Sequence, residues 1–404
     1  MIRAYKYKLK PTVKQCKALA QAFGNARFIY NWGLDKKKKA WEEEKKTISY
    51  FDLAHELTNI KKLDEYKWLN DSANVSLQQS LRNLDSAYTR FFKAKKGYPK
   101  FKSKKNTRDS IKFTNAYNKE TRTNTIKFDF TNMVVAIPRI GKVKFCENQK
   151  FDPSLKLGTL TVSKDHCGTY WCTIVVDDNK PSVLKTKIQE ETTVGIDLGI
   201  KDYAILSDGT KYGNPKFLEK GQKRLAGLQQ GFAKTQKGSK RRERKRLQIA
   251  RLHRKIANRR ADFTHKLSTD LVRRFDTICL EDLNVSGMVQ NHHLANSIQS
   301  AAWSEFVRQL AYKAEMYGKN VVFIGRYEPS SKTCSNCGYI NRELKLDDRK
   351  WICPHCGSEH DRDINAAINI KKMGLHPQAL VAIEQKVNNI ISIPSGNGIM
   401  DGSE

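Results

Sequence analysis

Three patterns in the 404-residue sequence predict a multidomain fold that is α+β in its first half and α/β in its second. One alternating segment at the start precedes a long stretch of helical periodicity, which gives way to repeated period-two alternation up to residue 178. The second half mixes short apolar runs with helical segments, and two Cys-x-x-Cys pairs interrupt it. A chain of this length, at about 150 residues per domain, has room for two or three domains with real cores.

The elements follow in order. Ile2–Leu9 alternates as a strand, and residues 1–10 are its span. Pro11 opens a helical pattern through Cys16, Leu19, Phe23, Phe28, Ile29 and Trp32. The periodicity runs to about Phe92, with Leu69, Val75, Leu77, Leu81, Leu84 and Tyr88 as its apolar stripe. Residues 11–105 therefore form a helical lobe inserted into the sheet of the first strand. The lobe ends in Lys93–Lys105, whose seven lysines flank Tyr98 and Phe101, while Gly97 and Pro99 break any helix. Alternation at 124–128, 134–137, 142–145 and 170–176 makes residues 106–190 the rest of a β-rich module, closed by a linker at 179–191.

The second half begins with the apolar run Val194–Gly199, a second run at Tyr203–Leu206 and a hairpin turn at Asp208-Gly209. Residues 220–275 read as helix. Within them Lys237–Arg260 carries twelve Lys or Arg against one acid, Glu243. Such a run is ordinarily a solvated tract, but Leu247, Ile249, Leu252, Ile256 and Ala257 keep apolar spacing, so a docked helix with a basic outer face is expected. A short strand ends at Glu281, a helix continues through Ala302, Phe306, Leu310 and Ala314, and Val321–Ile324 is a further strand. The domain boundaries are 191–327, 328–360 around the cysteines, and 361–375. After Met373 the sequence keeps one short apolar helix candidate and finishes in SIPSGNGIMDGSE, which has no packing pattern, so residues 376–404 are expected to be a mobile tail.

Lys plus Arg number 74 and Asp plus Glu 42, a net charge of +32. That excess argues against a small-molecule enzyme and for a polyanionic partner, whose condensed counterions such a protein displaces. The chain has no apolar run of about 18 residues and no signal-peptide stretch, so a cytoplasmic protein without a membrane partner is expected. Nine cysteines, an odd number, argue against a disulfide framework.

Cys334, Cys337, Cys353 and Cys356 form two knuckles fifteen residues apart, the spacing of a closed, structural four-thiolate zinc site. His355 or His360 is an alternative to one ligand. Three acids stand out by position: Asp197 and Glu281 end apolar strands, and Asp363 lies where a helix begins just after the cysteines. Singly each has a plain reading as turn former, salt bridge or helix cap, and Asp361 competes with Asp363. Together, in so basic a chain, they suit Mg²⁺. Two such ions would activate water and stabilise the leaving 3′ oxygen of a phosphodiester.

The ordered set VGIDLG (194–199), LEDLN (280–284), the double Cys-x-x-Cys and HDRDINAAINI (360–370) resembles the TnpB family, transposon-encoded relatives of type V CRISPR effectors. YKYKLKPT, NARFIYNWGL and GYPKFKSKK extend the resemblance over residues 1–373. It implies a wedge-like β-barrel carrying a helical recognition lobe, then an RNase H-like RuvC domain split by a basic insertion and a zinc ribbon that binds target nucleic acid. It also implies RNA-guided cleavage of double-stranded DNA beside a short transposon-adjacent motif. The guide RNA would come from the transposon end, and the protein would act as a monomeric ribonucleoprotein, nucleoid-associated when bound to DNA. The family's catalytic acids fall on Asp197, Glu281 and Asp363, the last through the Asp-x-Asn-Ala-Ala pattern, and its zinc ligands on the four cysteines. Candidate phosphate or stacking contacts are Lys95, Lys96, Tyr98, Lys100 and Lys102 in the loop and Arg241, Arg242, Arg246 and Arg254 in the basic run. Tyr50, Gln78 and Gln79 are candidates for reading the adjacent motif, since amides bond adenine edges. A nuclease-inactive guided repressor and an unguided structure-selective nuclease are the alternatives.

Overall fold

The computed structural model describes residues 2–94, 97–105, 108–121, 123–147, 149–178, 183–288, 290, 292–326, 328–345 and 347–376. Lys95, Lys96 and nearly all of the expected tail lie outside these. The chain divides into two compact units, Met1–Pro181 and Ser182–Glu404.

In the first unit, β1 (Ile2–Lys10) enters α1 (Val13–Glu44), then α2 (Tyr50–Ile60), a 3₁₀ turn over Asp64–Asp71 and α3 (Asn74–Ala94). The strands follow as β2 (Ser110–Phe113), β3 (Tyr117–Asn118), β4 (Thr123–Asn124), β5 (Lys127–Asp129), β6 (Val134–Ile137), β7 (Gly141–Cys146), β8 (Lys156–Lys164) and β9 (Tyr170–Asp177). Seven of them make one antiparallel sheet in the order β2-β8-β9-β1-β7-β6-β5. The first strand thus sits at the centre of a sheet whose other members come after the helical lobe, as the sequence implied.

The expected wedge-like barrel is a half-barrel: among the described residues no pairing joins β2 to β5. Leu19, Ala22, Phe23 and Ala26 of α1 instead join the sheet's core of Tyr7, Phe128, Phe145 and Phe151.

The helix α1 begins with a capping box, Thr12 accepting from the Gln15 amide while the Gln15 side chain accepts from the Thr12 amide. Its 32 residues span ~48 Å. That is long enough for Ile29, Tyr30 and Leu34 to enter a separate core with Leu53, Leu57, Leu69, Leu77, Leu81 and Leu84. Val75 does not belong to the stripe expected of it. It is 40% exposed, because the buried face of α3 runs through 77, 81 and 84.

The second unit opens with β10 (Thr193–Asp197), β11 (Asp202–Leu206) and β12 (Lys211–Gly213), followed by α4 (Phe217–Ala233) and α5 (Lys240–Arg274). Next come β13 (Thr277–Glu281), α6 (Val285–Met288), α7 (His292–Ala301), α8 (Trp303–Tyr317) and β14 (Asn320–Ile324). A two-stranded ribbon, β15 (Lys350–Ile352) and β16 (Glu359–Asp361), leads directly into α9 (Arg362–Gly374). The sheet order is β12-β11-β10-β13-β14, with the first three strands antiparallel and β10, β13 and β14 parallel. Gly209 takes a φ of +86° at the predicted hairpin turn.

Two helical segments are more broken than the periodicity suggested. Gly238 (φ +83°) lies in the turn between α4 and α5, and Ala302 (φ +53°) breaks the run between α7 and α8.

Both faces of β13 are covered. Ile278 and Leu280 pack with Leu267, Leu271, Phe306 and Leu310, whereas Cys279 packs with Val322, Ile324 and Ile370 of α9. The helix α9 presses so closely on β10 that a Cβ at Gly195 would meet the Ala367 carbonyl and lie 2.5 Å from the Lys371 amide nitrogen. Among the described residues no helix is long and apolar enough to cross a membrane.

Candidate functional site

Asp197 and Glu281 are the last residues of neighbouring parallel strands, level with each other because Ile196 pairs with Leu280. Parallel strands deliver side chains to a crevice beyond their carboxyl ends. Asp363 arrives from the first turn of α9, which packs against β10 and β13. Burial, followed by the charges of Glu281 and Asp363, pushes the Asp197 carboxyl up to about 7, against a smaller opposing pull from Arg362 and Arg349. Asp197 therefore lies in the field of both other acids.

Two of the three carboxylates are held by a neighbour. Ser330, 5% exposed, donates its hydroxyl to Glu281 Oε1 at 2.5 Å. Arg349 Nη1 lies 3.2 and 3.3 Å from the two oxygens of Asp363. Asp361 is engaged elsewhere: its Oδ1 caps α9 by accepting from the amides of Asp363 and Ile364, and its Oδ2 accepts from Lys211 Nζ at 2.7 Å. Burial acts to raise the Asp361 pKa, but the Lys211 ammonium and the helix amides outweigh it.

The four cysteine sulfurs lie within 4.8 Å of one another. Cys334 and Cys356 are 3.7 Å apart, and Cys337 and Cys353 3.6 Å. A zinc tetrahedron with Zn–S of ~2.3 Å has edges of ~3.8 Å, whereas a disulfide needs ~2.05 Å. The donor set thus fits zinc. The two knuckles repeat one geometry: Gly338 and Gly357, at φ +78° and +74°, donate to the Cys334 and Cys353 carbonyls at 2.9 Å. His355 stacks on Tyr339, and His360 Nε2 contacts Cys334 Sγ at 3.0 Å from outside the four.

The ribbon is fastened to α9 by residues whose role the sequence did not announce. Asn365 accepts from the Ser335 amide and donates to the Thr333 carbonyl, and Asn369 donates to the carbonyls of Ser330 and Thr333. The asparagines of the DINAAIN run are thus clamps on the chain entering the first knuckle.

The structure redistributes the candidate nucleic-acid contacts. Lys102 is engaged within the protein: its ammonium lies 3.7 Å from the Tyr30 ring centroid, and burial lowers its pKa to about 8, because Asn31 bonds both backbone groups of Lys102 and draws the loop onto α1. Tyr98 is partly held by Tyr88, with their hydroxyls 2.8 Å apart, while Lys100 is exposed.

Arg242 is also engaged within the protein. It donates to the Thr235 carbonyl at 2.8 Å and stacks on Phe232, tying the turn between α4 and α5. Arg246 pairs with Glu243, Arg241 is exposed and Arg254 is half-buried. A groove between α4 and α5 of about 420 Å³ is lined by Arg224, Lys245, Arg251 and Lys255 with Leu228, Gln248 and Leu252, and holds no acid. The i, i+4 spacing of Arg251 and Lys255 could have revealed it.

In the helical lobe, Arg82 stacks on Tyr50, and Gln79 accepts from Thr114 and donates to Asn83. Gln78 is half-buried.

Half-barrel, helical lobe, five-stranded mixed sheet and four-cysteine ribbon together make a Cas12-like multidomain fold. The chain superposes on one in the cryo-EM structure of the Cas12f1–sgRNA–target DNA complex with a TM-score of 0.60 at 13% identity, covering 94% of this chain and 99% of that one. It superposes on the mini-RNA-guided endonuclease CRISPR-Cas_phi3 with a TM-score of 0.52 at 11% identity, covering 93% and 92%.

The OrfB_IS605 family model ("Probable transposase") matches residues 173–292, and the Cas12f1-like TNB domain matches residues 303–370. A helix-turn-helix model of the same OrfB group matches residues 1–46, which here are one strand and one unbroken helix. A Streptomyces pristinaespiralis protein named for RNA-guided DNA endonuclease activity is 36% identical over 93% of this chain and 90% of its own length. The similarly named InsQ of Escherichia coli is 30% identical over 92% of each. The chain belongs to the TnpB family, the OrfB proteins of IS605-type elements.

Proposed function

We propose that this protein is an RNA-guided DNA endonuclease that hydrolyses phosphodiesters at a RuvC-type, RNase H-like site formed by Asp197, Glu281 and Asp363. The observation that carries the reading is the placement of the acids: Asp197 and Glu281 end adjacent parallel strands, and Asp363 lies in the first turn of the helix packed on both. In a chain of charge +32, Asp197, Glu281 and Asp363 would suit a divalent cation. Mg²⁺ bound there supplies Lewis-acid activation of water and stabilises charge on the leaving 3′ oxygen.

The chain's own residues do the rest. Ser330 and Arg349 hold two of the carboxylates, and Asp361 fixes the start of the helix bearing the third. The zinc ribbon is structural, with no open ligand position. Guide RNA and target DNA are held by backbone charge, for which the groove of Arg224, Lys245, Arg251 and Lys255 is well built, and base pairing selects the sequence. Tyr50, Gln78 and Gln79 are the proposed readers of the motif beside the target.

The test is cleavage of linear DNA by the purified protein with matched or scrambled RNA, with and without Mg²⁺. Cutting is expected only with matched RNA and Mg²⁺. Asp197→Ala, Glu281→Gln and Asp363→Ala are expected to bind both nucleic acids and fail to cut. Cutting by any one of them removes that residue from the site.

A further inference from the structure

Glu281 is held by a residue outside every acid motif. Ser330 lies 49 positions away, in the tight turn between β14 and the first cysteine knuckle, and its hydroxyl donates to Glu281 Oε1. A buried hydroxyl that donates to one oxygen of a carboxylate fixes its rotamer. The turn itself is constrained: the Ser330 amide donates to the Glu328 carbonyl, and the Thr333 amide donates to that of Pro329. Asn369, 4% exposed, closes the arrangement by donating to the Ser330 carbonyl at 2.7 Å and the Thr333 carbonyl at 2.6 Å. Asn369 stands on α9, the helix that carries Asp363.

We infer that Ser330 is a positioning residue for Glu281, and that Asn369 locks it to the helix bearing Asp363, so that two carboxylates from distant segments are set by one rigid piece. The inference rests on the reading of Glu281 and Asp363 as cation ligands. A carboxylate whose Oε1 is oriented by a buried hydroxyl presents its remaining lone pairs in a fixed direction. Partners of this kind govern metal affinity, typically by ten- to a hundredfold. The same turn runs into Cys334, so the zinc ribbon is the far anchor of this support.

The experiment is a Mn²⁺ titration of the zinc-loaded full chain followed by electron paramagnetic resonance, with Asp197→Asn as the blank for surface binding. It is paired with the Mg²⁺ dependence of cleavage. Ser330→Ala should weaken the Asp197-dependent Mn²⁺ site at least about tenfold and raise the half-saturating Mg²⁺ by a similar factor. Its zinc content and RNA binding should be unchanged, and Ser330→Thr, which keeps the hydroxyl, should restore both readouts. Wild-type Mn²⁺ affinity in Ser330→Ala overturns the inference, as does equal weakening by Ala and Thr, which would mean packing alone. Absence of an Asp197-dependent Mn²⁺ site in the wild type, or cutting by Glu281→Gln, instead overturns the underlying reading of the site.

Discussion

Replacing Asp197 by Asn should stabilise the Mg²⁺-free protein while abolishing its cutting, and the gain should depend on pH in a defined way. The carboxyl is raised from 3.8 to about 7 in the folded state by burial and by Glu281 and Asp363. A group raised on folding binds its proton more tightly in the native state. Its contribution to stability is therefore complete below the unfolded value and is lost as pH climbs towards 7. The full shift is worth on the order of 4 kcal/mol, an upper figure because Asp197, at the end of the central strand, is only half-buried.

Asp197→Asn should thus gain about nothing at pH 3, about 2 kcal/mol at pH 5.5 and up to about 4 kcal/mol above pH 7. Hydrogen–deuterium exchange of peptides covering β10 and β11, corrected for intrinsic rates and measured without Mg²⁺, reads this locally. The cysteine site should keep its zinc throughout. Millimolar Mg²⁺ should shrink the difference by neutralising the wild-type charge. An equal gain at pH 5 and pH 8, or none at either, would refute the argument that the three acids crowd one another.

Other consequences can be measured more simply. Cys353→Ser should release zinc and loosen the ribbon, shown by metal analysis and by faster proteolysis within 330–361; unchanged zinc stoichiometry contradicts the four-thiolate site. Gly195→Ala forces a Cβ into the backbone of α9 and should cost about 1–3 kcal/mol, with loss of cutting as the helix carrying Asp363 moves away; unaltered thermal stability would show the approach to be looser. Arg251→Ala with Lys255→Ala should flatten the salt dependence of nucleic-acid affinity by about one unit for each phosphate no longer neutralised; an unchanged slope would exclude the α4–α5 groove as a phosphate track. Thr12→Ala removes half of a capping box and should cost about 1 kcal/mol in the first unit, read by its denaturation midpoint.

The acids and the zinc ligands were legible in the sequence for local reasons. An apolar strand that ends in Asp197 or Glu281 announces both the strand and a carboxylate at its carboxyl end, and paired knuckles at a fixed spacing announce a metal. The choice of Asp363 over Asp361 came from the family pattern; in the structure Asp361 caps α9 and pairs with Lys211, while Asp363 pairs with Arg349.

What stayed hidden depends on long-range pairing. No local pattern brings Ser330 to Glu281 or Asn31 to Lys102, and composition cannot tell an Arg that faces solvent from Arg242, which turns back onto Phe232. Closure of the half-barrel was likewise beyond reach, because alternation marks strands but not which edges meet. Val75 failed for a simpler reason: it is apolar but two residues out of phase with Leu77.

The central claim is that this protein cuts DNA chosen by an RNA it carries. The most direct measurement is to express the gene with its flanking DNA, sequence the RNA that survives nuclease treatment on the purified protein, and then exchange the variable end of that RNA. A single RNA with a constant scaffold, and cutting that moves to whichever DNA matches the new end, is the predicted result. A smear of unrelated fragments, or cutting that ignores the exchange, would contradict the account and leave a basic nuclease without a guide.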